Sequence, residues 1–470
     1  DEAELDVAIT SAMREAENAF GLPDLIVEQY IPNGRHIEVQ IAGDGKGKVI
    51  HLHERECTLQ RRHQKVIEEA PAAPMPEPIR QKILADAVKI GEALNFRNLG
   101  TVEFLLAGED YYFLEVNPRL QVEHPVTEEV TGLDLVALQI AVAEGAQLGL
   151  TQDDIALDGH AIEARIYAED PAKDFLPSTG PVLLWSTPEN SDVRVDDGIS
   201  TGDEVSPFYD AMVAKVIVHG ATRKEALRKL NAALRETTLF GFANNRDFLL
   251  DAINQDAFQT GEATTAFIDE AYGEDGFTAQ SPAFNATAAA ALLDFVQQED
   301  IAATNAIAVD DELSGWSSTL PLVSHFDYQV GDDVYALTVS DTGAAYQVVL
   351  GEETADIIFK SISETDAHLI INGKGFDVGY LNTPDTMHVS IDGKAVSFTK
   401  LNTLSAMNDQ QEGGGAVTAP MHGMLLEILV KEGDQVKTGD KLATLEAMKM
   451  QHEITAEVDG TVSTVLASPG

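Results

Sequence analysis

Glu103 and Glu115 flank a short polar break in TVEFLLAGEDYYFLEVN. If a hairpin folds about Glu109, each glutamate lies six residues from the turn centre, and the two face each other. Opposed side chains on paired strands stand roughly 5 Å apart at Cβ, so two carboxylates there repel. A cation between them removes the repulsion, and magnesium takes carboxylates together with nucleotide phosphates. Asn117 and Arg119 follow at two-residue steps and point to the same face. Two solvated glutamates on an exposed hairpin would show the same alternation. The attached run EVNPRLQVEHP, which adds an amide, a guanidinium and a third glutamate, Glu123, favours the metal–nucleotide reading.

A second candidate is Lys449, held between Met448 and Met450 in LEAMKM. An exposed lysine keeps its proton and reacts poorly. It suits an attachment point read by a modifying enzyme. An internal repeat frames it. Ala419-Pro-Met-His-Gly423 leads to Gly433, and Ala456-Glu-Val-Asp-Gly460 leads to Gly470, at an offset of 37 residues. Between the copies, LATLEAM and MQHEIT alternate like hairpin arms with Lys449 near the tip. Two similar half-sheets facing each other make a flattened β-barrel.

The elements that must position these groups fill a chain of 470 residues, enough for roughly three domains. Hydrophobic content of 44% is that of a globular protein with real cores. One cysteine, Cys57, excludes a disulfide framework, fits a reducing compartment and reads as a buried bystander. No apolar run reaches the roughly 18 residues that suggest a membrane span. Asp and Glu outnumber Lys and Arg by 78 to 31, a formal charge of −47. Such a surface repels nucleic acid and anionic membrane. It makes the basic island Arg61-Arg62-His63-Gln64-Lys65 informative.

Residues 1–275 mix helical and strand patterns, an α+β texture: an N-terminal amphipathic helix, a hairpin about GDGKGK, a helix in PEPIRQKILADAVKIGEALNF and the Glu103–Glu115 hairpin. Residues 276–405 begin with one helix and continue as short alternating segments, a small antiparallel barrel or sandwich. Residues 406–416 are polar and Gly-rich and read as a flexible linker. Residues 417–470 hold the repeat.

AMKM within this repeat, with A-P-M-H-G upstream, resembles the biotin carrier domain of biotin-dependent carboxylases. The related lipoyl domains carry lysine in an Asp-Lys-Ala setting, which is absent here. The resemblance implies biotin on Lys449 through an amide bond made by a biotin protein ligase. E-x-N-x-R-x-Q-V-E-H-P resembles the ATP-grasp fold of biotin carboxylase, and roles carry over by position. Glu103, Glu115 and Asn117 would hold magnesium or manganese. Arg119, Gln121 and Val122 would bind bicarbonate, and Glu123 would take its proton. Glu28, Tyr30 and Ile31 would receive adenine, and His36, Gln60 and His63 would touch the rest of ATP. Lys65 would lie near phosphate and bicarbonate. Arg165, a permanently charged guanidinium, would face the biotin ureido group. A base must start unprotonated, and a neighbouring arginine favours that. His124 and His160 match the pattern without an assigned chemistry. The chain departs from the family at Pro118 and Gln29.

The resemblance also places an N-terminal lobe and a Gly-rich phosphate lid ahead of residue 1, and the repeat, whose first copy continues as DQVKTGDKLATL where the second stops at Gly470, implies a further strand. The chain alone is therefore expected not to turn over ATP. Carboxylase, β-rich middle and carrier on one chain look like the α subunit of acyl-CoA carboxylases, whose middle domain docks a carboxyltransferase β subunit in a hetero-oligomer. QRRHQKVIEEAPAAP and ARIYAEDPAKDFLPSTGP lean towards the 3-methylcrotonyl-CoA type, with geranyl-CoA and propionyl-CoA types open. A bacterial cytoplasmic setting is expected, with the mitochondrial matrix as the other choice. Two competing readings are another ATP-grasp ligase fused to a lipoyl-like carrier and a non-catalytic scaffold.

Overall fold

A computed structural model describes residues 5–189, 191–273, 276–278, 280–305, 322–401, 417, 419, 423–447, 450–456 and 458–469. Its largest sheet has eight strands: β1 (Arg35–Asp44), β2 (Val49–Arg61), β3 (Gln64–Ala70), β4 (Arg97–Ala107), β5 (Asp110–Asn117), β6 (His160–Tyr167), β7 (Val193–Asp197) and β8 (Met212–Gly220). Their order is β7-β8-β6-β3-β2-β1-β4-β5, and neighbours are antiparallel throughout.

Alternation sorts the side chains of this sheet. Ile37, Val39 and Ile41 of β1 pack with Val102, Phe104 and Leu106 of β4 under the helix Glu77–Ala93. That helix starts at prolines and buries Ile79, Ile83, Leu84, Ala87 and Gly91. Gly91 lets helix and sheet approach closely, since a Cβ there would lie 2.9 Å from Val49. A second apolar cluster joins β6 and β8 to the helix Arg223–Glu236, through Ile162, Ala164, Val216, Leu227 and Leu230. The intervening positions of β1, Glu38 and Gln40, point to the other face and are also fully buried. Short helix His124–Thr131 packs over that polar face against β2, β6 and β8.

The β-rich middle is a closed barrel of eight antiparallel strands, sealed by Tyr328 pairing with Lys400 and Gln329 with Thr399. The buried part of the preceding helix, Phe284–Asn305, packs into the barrel core against the strands Asp333–Asp341, Tyr346–Leu350, Glu353–Ile362 and Thr386–Ile391. Nine consecutive residues, Ala286 to Asp294, are buried, so this part of the helix has no solvent face, whereas residues 300–305 are exposed. Five alanines among them leave room for the barrel wall. Inside, Asp294 accepts from Tyr328 Oη (3.0 Å), Lys400 Nζ (3.0 Å) and Asn382 Nδ2 (3.1 Å). The barrel is fastened to the enzyme-like region by buried Arg246, which donates to Ser390 Oγ (3.1 Å) and the Gly393 carbonyl (3.2 Å). Phe240 stacks on His388 at 5.3 Å beside it.

Near the C-terminus, Met424–Ile428 pairs with Lys441–Ala447, which pairs with Met450–Thr455. The repeat shows in paired backbone bonds. Gly433 and Asp434 exchange hydrogen bonds with Val462, and Gly439 and Asp440 do so with Ala456. Ala447 opposite Met450 ends the expected hairpin. Lys449 and the linker 406–416 lie outside the described residues. Among the described residues no helix is long and apolar enough to cross a membrane.

Candidate active site

The polar face of the large sheet carries a belt of charge in register. Glu115 of β5 opposes Glu103 of β4, Glu103 opposes Glu38 of β1, and Glu38 opposes Arg55 of β2. Further along, Glu68 of β3 opposes Glu163 of β6, Arg165 of β6 opposes Lys215 of β8, and Lys215 opposes Asp196 of β7. An alternating strand says which residues share a face, and helix His124–Thr131 turns this face into an interior.

The expected Glu103–Glu115 pairing is present, by a different route. The turn centre lies between Gly108 and Glu109, because Ala107 opposes Asp110. A bulge then brings Glu103 opposite Glu115 where Phe104 opposes Phe113. Asn117 Nδ2 donates to Glu103 Oε1 and to Glu115 Oε1, both at 2.8 Å. Gln121 Nε2 also reaches Glu103 Oε1 (2.8 Å), and His36 Nε2 lies 2.8 Å from Glu103 Oε2. Burial pushes the Glu103 carboxyl up, but the His36 bond and the Lys65 ammonium outweigh it and hold it down at about 2. Glu38 is likewise opposed by burial yet held at about 2 by Lys65 and Arg55.

At the centre, Lys65 Nζ donates to Glu38 (2.5 Å) and Glu123 (2.6 Å) and lies 3.5 Å from Glu103. Arg165 Nη2 donates to the other oxygen of Glu123 at 2.9 Å. Glu123 is therefore clamped between two cations and is 2% exposed. It is the N-cap of helix His124–Thr131, where Pro125 opens the first turn and the helix dipole favours a carboxylate. Lys65 is set by the two-residue turn between β2 and β3. Arg62 (φ 47°) and His63 (φ 68°) both take left-handed backbone, the primed turn that matches strand twist but is normally given to Asn and Gly.

That turn divides the basic island. Arg61 pairs with Glu169 and covers Phe175, exposed Arg62 pairs with Asp174, and only Lys65 enters the acid cluster. Exposed His63 and half-buried Gln60 stay at its edge. The Val122 carbonyl accepts from Lys215 Nζ at 3.0 Å. Arg119 is exposed, and among the described residues its guanidinium donates to the Leu120 carbonyl at 3.4 Å. Glu28, Tyr30 and Ile31 lie on an irregular segment without described bonds to the cluster, and Tyr30 is 85% exposed. His160 and His124 have structural partners, Glu69 at 2.6 Å and the Gln121 carbonyl at 2.8 Å.

Glu38, Arg55, Glu68, Glu163 and Lys215 had drawn no attention in the sequence. Glu38, Glu163 and Lys215 each sit between apolar neighbours, and Arg55 and Glu68 lie in polar runs, patterns that read the same whether the face is wet or buried. Glu103, Glu115 and Asn117 present hard oxygen donors side by side, a set that fits magnesium or manganese. The ligand atoms of Glu38, Cys57 and Glu123 also lie within 4.8 Å of one another. Burial pushes the Cys57 thiol well up, which keeps it a thiol and a poor ligand.

Three family models match the chain: carbamoyl-phosphate synthase L chain, ATP binding domain (residues 1–151); biotin carboxylase C-terminal domain (163–270); and biotin-requiring enzyme (415–470). The mitochondrial methylcrotonoyl-CoA carboxylase subunit alpha of Mus musculus is 35% identical over 484 residues, covering 100% of this chain and 67% of that protein. The mitochondrial propionyl-CoA carboxylase alpha chain of Caenorhabditis elegans is 35% identical, covering 94% and 64%. Among solved structures, the biotin carboxylase domain of Hydrogenobacter thermophilus 2-oxoglutarate carboxylase, bound to MgADP, ADP and bicarbonate, is 39% identical with a TM-score of 0.56, covering 57% of this chain and 60% of that one. The chain thus spans about two thirds or less of these relatives. It belongs to the alpha subunits of biotin-dependent acyl-CoA carboxylases, which join an ATP-grasp biotin carboxylase to a biotin carrier on one polypeptide.

Proposed function

We propose that this chain carries the residues for ATP- and bicarbonate-dependent carboxylation of biotin on Lys449, and that the carrier then serves a separate carboxyltransferase β subunit. The observation behind this reading is the clamp on Glu123, with Lys65 at 2.6 Å and Arg165 at 2.9 Å. A carboxylate fixed between two cations, beside a metal-type acid pair, suits a base working among anionic substrates.

In this reading Glu103, Glu115 and Asn117 hold the divalent ion, which neutralises nucleotide phosphate charge when bound. Arg119, Gln121 and the Val122 backbone orient bicarbonate, and Glu123 takes its proton. Lys65 balances Glu38 and Glu123, and exposed Arg119 offers its guanidinium to an incoming anion. Arg165 offers its guanidinium to the ureido group. His36, Gln60, His63 and the Glu28–Ile31 segment take the nucleotide. Residues 406–416 tether the carrier, replacing a bimolecular encounter by one at roughly millimolar effective concentration.

Bicarbonate-dependent ATP hydrolysis with free biotin, measured on the full-length subunit, tests the reading. Glu123→Gln should lower it by about 100-fold or more, and an unchanged rate overturns the assignment. The acyl acceptor proposed is 3-methylcrotonyl-CoA. The propionyl-CoA type is the second reading, favoured by the nematode relative, and assays of the assembled complex with each thioester separate them.

A further inference from the structure

Behind Arg165, Glu68 of β3 and Glu163 of β6 face each other directly. Both are 0% exposed, and none of their four carboxyl oxygens accepts a hydrogen bond among the described residues. Glu68 Oε1 does lie 2.5 Å from Arg165 Nη2, in an ion contact without hydrogen-bond geometry. Two opposed carboxylates in a dry interior cannot both stay ionised without ample positive charge.

That charge is already committed. Lys65 serves Glu38 and Glu123. Lys215 serves Asp196 at 3.2 Å and the Val122 carbonyl. Arg165 is shared between Glu68 and Glu123, with Tyr167 Oη at 3.4 Å on its other amine and its Nε buried without an acceptor. Lys65, Glu123, Arg165, Tyr167, Lys215, Asp196 and the buried Cys57 thiol are charged or titratable neighbours of the pair among the described residues.

We propose that Glu68 and Glu163 share one proton and act as a positioning pair for Arg165. One carboxyl donates O–H to the other, and the single remaining negative charge steadies the guanidinium between Glu68 and Glu123. A second ionisation would draw Arg165 away from Glu123 and from the ureido group that the proposed function places there. The direction of titration agrees: burial pushes Glu68 up to about 7 and raises Glu163 well above its ordinary range, so the two titrate as a unit.

This rests on the biotin carboxylase reading, and the test separates the two. In the full-length subunit, KM for free biotin should rise with pH in the wild type as the second proton leaves. Glu163→Gln should stay near wild type at neutral pH and lose that alkaline rise, because one carboxylate remains. Glu68→Gln should raise KM for biotin by about 10-fold or more with KM for ATP unchanged, an outer-layer effect of the usual size. A rise that persists in Glu163→Gln, or an unchanged biotin KM in Glu68→Gln, overturns the proposal. If Glu68→Gln does not fold, Glu163→Gln decides alone. A wild type without biotin-dependent turnover refutes the underlying reading instead.

Discussion

Asn117 and Glu103 are joined by a 2.8 Å hydrogen bond, and the same amide nitrogen reaches Glu115 at 2.8 Å. One side chain thus bridges two carboxylates that face each other across paired strands.

Removing that bridge should loosen the divalent-ion site. Asn117→Ala is expected to raise the magnesium concentration needed for half-maximal ATP hydrolysis by about 10-fold or more, within the range for metal-site partners. A magnesium titration of the full-length subunit reads it. An unchanged requirement removes Asn117 from the metal site.

Lys65 balances three buried acids, so Lys65→Met should leave Glu38, Glu103 and Glu123 short of a cation. The expected cost is about 3–5 kcal/mol of stability, in addition to lost activity. Thermal unfolding of wild type and variant measures it. A variant of equal stability would mean that the acids find other partners.

Burial pushes Glu169 up to about 7 from an ordinary 4.5, with Arg61 opposing the rise. The folded chain then holds a proton that the unfolded chain releases between those values, so this group costs stability as pH climbs from 4.5 through 7. The loss at higher pH is roughly 3 kcal/mol. Glu169→Gln cannot ionise, and its stability should fall less over that window in urea unfolding at several pH values. An identical slope contradicts the assignment.

Within the barrel, Asp294→Ala should strand Lys400 and the Tyr328 hydroxyl in the interior. A loss of about 3 kcal/mol is expected, partly recovered by adding Lys400→Met. Calorimetry of the single and double variants gives the comparison. Additive losses would show that the contact between Asp294 and Lys400 carries no coupling.

Alternation and turn chemistry made the strands, the Glu103–Glu115 opposition and the barrel readable. The opposition came out right although its turn is centred elsewhere, because the bulge next to Phe104 restores the register. The packing of helix Phe284–Asn305 into the barrel was not read, yet its unbroken apolar run from Ala288 to Leu293 was the available sign. The buried acids were missed for a physical reason. Glu38 and Glu163 alternate with apolar neighbours as solvated residues do, and the packing of helix His124–Thr131 against β2, β3, β6 and β8 helps to make the face an interior. The Glu28–Ile31 segment followed from resemblance alone, and the described residues do not bring it to the acids.

The most direct test is the mass of the full-length chain produced together with a biotin-attaching enzyme. One biotinyl group should be present, mapped by peptide analysis to Lys449 and absent from Lys449→Arg. A chain weighing only what its amino acids predict, or modified elsewhere, contradicts the account.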